Sequence, residues 1–145
     1  MPDFKTWSPE RARRLLKAAD YPEVARAALR EMHRQVGPLR FDRAGLAVGG
    51  LLVRHLVMPG ASDDPAPIFE FLAQELSPDT YVNVMGQYYP AGAVEERRHP
   101  DLVRRPYGAE LAYAREAARA AGLWRIDWSR GHAAPETRPG AAGDP

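Results

Sequence analysis

The run GLLVRHLVMP at 50–59 restricts the possible folds of this chain more than any other stretch. It consists of apolar β-formers, broken only by Arg54 and His55 side by side at its centre. Such a run predicts a strand covered on both faces, as in parallel sheets with helices outside. Pleat alternation sends adjacent side chains to opposite faces, so Arg54 and His55 cannot share one. One polar group must then enter a buried layer or a cavity. A guanidinium cannot shed its charge, so Arg54 calls for an anionic partner there.

With 145 residues the chain suits one domain with a real core. Acidic and basic residues are interspersed and the net charge is +1, which argues against a nucleic-acid or membrane footprint. No leader, lipidation motif or membrane-length apolar run is evident, and a cytoplasmic location is the expectation. Cysteine is absent, which excludes disulfides, thiolate metal sites and cysteine-ligated clusters within this chain.

The first residues, MPDFKT, read as a strand with Asp3 and Lys5 on one face and Phe4 on the other. Ser8-Pro9-Glu10 predicts a helix start, and that helix is expected to run to about Ala19. A second helix from Asp20 carries Val24, Ala28, Met32 and Val36 as its apolar stripe and stops at Gly37-Pro38. The arginines at 11, 13, 14, 26, 30 and 34 are expected mostly on outward, solvated faces. A helix-turn-helix reading of this pair is weaker, because most of the chain is not helical. Residues 39–48 predict a hairpin turned at Asp42-Arg43-Ala44-Gly45. Asp63 or Asp64 is expected to cap a helix burying Ile68, Phe69, Leu72 and Leu76; capping explains this acidic pair better than metal binding. A strand follows over 80–85, then the polar loop Gly86-Gln87-Tyr88-Tyr89-Pro90 and a charged stretch. A helix over 109–121 and a strand over 124–128 complete the ordered part. Residues 129–145 are expected to be a disordered tail.

Strands alternating with helices predict an α/β fold with a parallel sheet and right-handed crossovers. About four such strands are too few for a closed eight-stranded barrel. In parallel sheets functional groups gather at the carboxyl ends of strands. Those ends supply Asp3 and Lys5, then Arg54 and His55, then Asn83, Gln87 and Tyr88. Lys5 or Arg54 could take a ligand carboxylate, and Gln87 or Tyr88 hydroxyls or a base edge. The competing reading is a simple Arg54–Asp3 pair inside a packed lumen. There is no nucleophile elbow, phosphate loop, HExxH or dinucleotide glycine fingerprint, and the four histidines lack metal-ligand spacing. No catalytic residue is assigned.

The segments PDFKTWSPERARRLLKAADYPEVARAALREMHRQVG, GLLVRHLVMPG, LSPDTYVNVMGQYYPAG and AARAAGLWRID resemble one known family. They are similar to radical S-adenosylmethionine (SAM) proteins of the pyruvate formate-lyase activating-enzyme type, in that group's uncharacterised iron–sulfur branch. VRHLVMPG together with EMHRQVG carries the specificity. The resemblance implies a partial (β/α) TIM-like barrel with outer helices and one inserted β-hairpin. Residues 1–128 would be its C-terminal half. The family's first strands carry a CxxxCxxC loop holding a [4Fe–4S] cluster, for which this chain has no ligands. Asp3 and Lys5 match the family's D-x-K beside SAM, Arg54 the strand arginine near the SAM carboxylate, and Gln87 and Tyr88 the segment reaching the nucleoside. The implied partner is an N-terminal half bearing the cluster motif. The alternative is a non-catalytic module that self-associates through an open sheet edge.

Overall fold

The computed structural model describes residues 1–92, 94 and 96–127. Two helices come first, α1 (Pro9–Leu16) and α2 (Tyr21–Val36), then an antiparallel hairpin of β1 (Arg40–Phe41) and β2 (Ala47–Gly49). β3 (Leu52–Leu56), α3 (Pro65–Phe71) with a π-helical extension (Leu72–Leu76), β4 (Tyr81–Met85), α4 (Gly108–Ala120) and β5 (Ile126–Asp127) complete the order. β3, β4 and β5 form a parallel three-stranded sheet, with Leu52 opposite Tyr81, Leu56 opposite Met85 and Asn83 opposite Asp127. The architecture is mixed α/β, and no closed barrel is present among the described residues.

The hairpin turn falls where expected, because Asp42 Oδ1 accepts the Ala44 and Leu46 amides at 2.9 Å. Gly50 sits at φ 101°, and a Cβ there would lie 2.1 Å from the Pro38 carbonyl oxygen. Only glycine fits that close approach.

The expected first strand is reduced to a single parallel bridge between Asp3 and Arg54. The Phe4 amide donates to the Arg54 carbonyl, and the Arg54 amide to the Pro2 carbonyl, at 2.9 Å each. Pairing then stops for a physical reason. The Phe4 carbonyl sits 2.9 Å from His55 Nδ1, and the Trp7 and Ser8 amides donate to the Asp64 carboxylate. The chain is thereby turned into α1.

β3 is covered on one face only. Val53 and His55 are buried, whereas Leu52, Arg54 and Leu56 are half-buried on the other face. The covered face meets Phe4, Ile68, Phe69, Leu72, Ala114 and Ala118 in the main core. His55 lies there, edge-on to Phe69, as a hydrogen-bonded core residue.

Helix α2 buries a different row from the one its sequence suggested. Val24, Met32 and Val36 are 57%, 41% and 44% exposed. Tyr21, Ala25 and Leu29 face the core instead, a row displaced one residue toward the C-terminus from that stripe. Two rows at four-residue spacing compete, and the row with an aromatic anchor prevails: Tyr21 packs edge-on to Phe4.

Three further expectations are corrected. α1 ends at Leu16 because Lys17 turns left-handed at φ 59°. Arg11 is not an outward arginine; its side chain is 14% exposed, donates to the Gly60 carbonyl and pairs with Asp63 and Asp64. Neither aspartate caps α3 through its side chain. Buried Asp64 instead accepts Thr6 Oγ1 at 2.9 Å and the Trp7 amide at 2.7 Å, serving the turn before α1. α4 buries Ala114, Ala117 and Ala118, with Leu111 packed beside them. Of the expected last strand, residues 126–127 pair with β4; Trp128 and the tail at 129–145 lie outside the described residues.

Candidate functional site

The half-open sheet face carries a polar row across its strands. Asp3, Arg54, Asn83 and Asp127 stand in register, so their side chains emerge on one face at roughly 4.8 Å steps. Arg54 Nε donates to Asp3 Oδ1 at 2.7 Å, and Asn83 Nδ2 to Asp127 Oδ2 at 2.9 Å. Lys5, one pleat further on, donates from Nζ to Asp3 Oδ2 at 3.1 Å. Asp3 is therefore gripped by two cations. Burial raises its carboxyl pKa, but hydrogen bonds from Lys5 and Arg54 outweigh that and hold it below the usual range.

One carboxylate between two cations leaves this trio with one uncompensated positive charge. All three side chains are partly exposed, at 27%, 51% and 39% for Asp3, Lys5 and Arg54. Ion pairs so open to water contribute about 1 kcal/mol or less, so an incoming carboxylate can compete for them. The expected Arg54–Asp3 pair is formed, at a partly exposed position rather than inside a packed lumen.

Beside the trio lies a cavity of about 410 Å³. It opens at the carboxyl ends of β3 and β4, where Leu56, Met58, Met85 and Tyr88 line it. Asp3 and Lys5 form part of its wall, with Leu15 and Leu16 of α1. Arg54 does not line it and reaches it only through Asp3. Gln87 is exposed and outside the wall. Tyr88 is in place, but its hydroxyl donates to the Leu102 carbonyl at 2.9 Å. Burial and then nearby Asp101 raise its pKa, so the hydroxyl keeps its proton. Of the sequence-derived set, Asp3, Lys5 and Arg54 converge, Tyr88 is adjacent, and Gln87 stands apart.

Sequence reasoning missed His99 and Arg11, which also line the cavity. His99 lies in an irregular charged loop with no periodicity to signal its direction. Arg11 looked like one of several helix-surface arginines.

The free edge of the first segment is closed by a side chain. Its outward groups include the Asp3 carbonyl and the Lys5 amide. The Tyr21 hydroxyl donates to the first and accepts from the second, at 2.9 Å each. One residue of a neighbouring parallel strand would make this pair of bonds. Burial raises the Tyr21 pKa, so its donor proton is retained.

Cofactor fit differs between the two groups that the resemblance implies. The donor set does not suit an iron–sulfur cluster: the chain has no cysteine, and no group of three or more His, Asp or Glu among the described residues could hold a metal ion. The trio does suit the carboxylate of a small ligand. No helix among the described residues is long and apolar enough to cross a membrane. Comparison with family models, with curated proteins and with solved structures finds no match.

Proposed function

We propose that this chain binds a small carboxylate-bearing molecule at its strand ends, and that the molecule is SAM, as in radical SAM proteins of the activating-enzyme type. In this reading it is the C-terminal portion of a partial barrel, contributes SAM-contacting residues and is inactive alone. The observation that supports it is the convergence of Asp3, Lys5 and Arg54 from neighbouring strands on one open sheet face beside a cavity. Lys5 and the guanidinium of Arg54 supply donors for the carboxylate, and Asp3 orients both cations. SAM, when bound, would supply the adenosyl group and sulfonium. This chain's residues hold and orient it, and no bond-breaking step is assigned to them.

The alternative is an interaction module that self-associates, or pairs with an N-terminal half, through its sheet edge. Strand addition at residues 3–5 would require the Tyr21 hydroxyl to leave the two backbone groups it occupies.

Calorimetric titration of SAM into the purified chain tests the leading reading. The expected outcome is saturable binding that weakens about tenfold or more in Arg54→Ala, the scale of a lost charge-assisted hydrogen bond. Absence of binding, or equal binding by Arg54→Ala, would overturn it.

A further inference from the structure

The cavity beside the trio has more apolar wall than a carboxylate clamp requires. Leu15, Leu16, Leu56, Met58, Met85 and Leu102 all face it. The polar groups of the wall can be accounted for one by one. The Asp3 carboxylate is held by Lys5 and Arg54. The Thr6 hydroxyl donates to Asp64, and Arg11 is taken up by Gly60, Asp63 and Asp64. The Tyr88 hydroxyl is given to Leu102. One group keeps spare capacity toward the chamber. Lys5 uses one of its three ammonium donors on Asp3. Arg11 Nε and His99 Nδ1 also lack a hydrogen-bond partner among the described residues, but both atoms are sealed from solvent and so from the chamber's open space.

Buried polar groups need partners, and apolar walls penalise a ligand that brings many of them. This chamber offers a free donor to one small acceptor-rich head and an apolar wall beyond it.

We propose that the chamber is a binding site for a monocarboxylate with an apolar body, of the medium-chain or aromatic class. The carboxylate sits at Lys5, and the body lies among Leu16, Leu56, Met58, Met85 and Leu102. The positive charge left over on the trio favours an anionic head over a neutral one. This site goes beyond the SAM reading: it shares the charge of the trio with it but needs no adenosyl group.

The four methionines provide the readout. Met58 and Met85 line the chamber, whereas Met1 and Met32 are 81% and 41% exposed and outside its wall. The full chain, labelled with ¹³C at its methionine methyls, is titrated with octanoate, with octanol as the uncharged control and with SAM in parallel. Octanoate should move the Met58 and Met85 signals and leave Met1 and Met32 in place. Octanol should bind about tenfold more weakly, as expected for loss of a charge-assisted contact. Lys5→Ala should reduce octanoate to the level of octanol, and Leu16→Trp, which fills the chamber, should weaken both. Lys5 is half-exposed, so its removal leaves the core intact. Unmoved Met58 and Met85 signals would overturn the proposal, as would octanoate binding that Lys5→Ala leaves unchanged. Octanoate binding without SAM binding would overturn the SAM reading alone; SAM binding with octanoate silent would overturn the chamber proposal alone.

Discussion

Tyr21 shows how a single hydroxyl can take the place of a strand. It satisfies one acceptor and one donor on the exposed edge, both of which would otherwise invite pairing with another chain. Tyr21→Phe keeps the ring against Phe4 but removes both bonds. The expected result is a loss of about 1 kcal/mol, typical of a net hydrogen bond, with faster hydrogen exchange at the Lys5 amide. An unchanged Lys5 exchange rate would contradict this role. Little of it was legible in the sequence, because Asp20-Tyr21-Pro22 reads as a helix start and nothing local reveals that a first-turn tyrosine reaches back to residue 3. The separation of Arg54 from His55, by contrast, follows from pleat alternation alone and is observed. His55 is neutral-favouring in the core: burial depresses its pKa, and the hydrogen bond with the Phe4 carbonyl and the negative charge of Asp64 offset this only in part.

Between elements, a buried polar tie outside the sheet joins the start of α1 to the loop before α3. Asp64 is 1% exposed and gathers Thr6, the Trp7 and Ser8 amides, and Arg11, which approaches its Oδ2 at 3.1 Å. Asp64→Ala removes one partner from a buried charge and strands several donors. Its expected cost is ~3–5 kcal/mol by chemical denaturation; a cost below ~1 kcal/mol would contradict the network. The spacing of Asp63-Asp64-Pro65 suggested a local cap, since sequence neighbours are all that a cap motif can report. The actual partners lie more than fifty residues away, and only the tertiary fold brings them in. Helix α2 teaches the same lesson. Its boundaries were legible from Pro22 and Gly37, but its buried face was not, because two apolar rows of similar strength run along it. Leu29→Ala should cost ~2–5 kcal/mol as a core truncation, whereas Met32→Lys on the exposed row should fall within about 0.5 kcal/mol of wild type. Equal effects at the two positions would reverse the assignment of faces.

At the scale of the whole molecule, the sequence order of strands and helices foretold a parallel sheet, and β3, β4 and β5 form one. What periodicity could not show is that one face of β3 stays half-open. An unbroken apolar run looks the same whether its second face meets a helix or a cavity, and here Leu52 and Leu56 flank Arg54 on the open side. That opening turns a structural ion pair into a candidate clamp. It also explains why the candidate set divides as it does: Asp3 and Arg54 belong to paired backbone and Lys5 follows one pleat on, whereas Gln87 sits on a loop whose direction no strand register dictates. The clamp hypothesis specifies a place as well as a ligand. Titration of SAM into the uniformly ¹⁵N-labelled chain tests both at once. The account predicts saturable shifts concentrated at the amides of Asp3, Lys5 and Arg54, weakening as salt screens the trio. Saturable shifts elsewhere, or none at these three residues at saturating SAM, would contradict it.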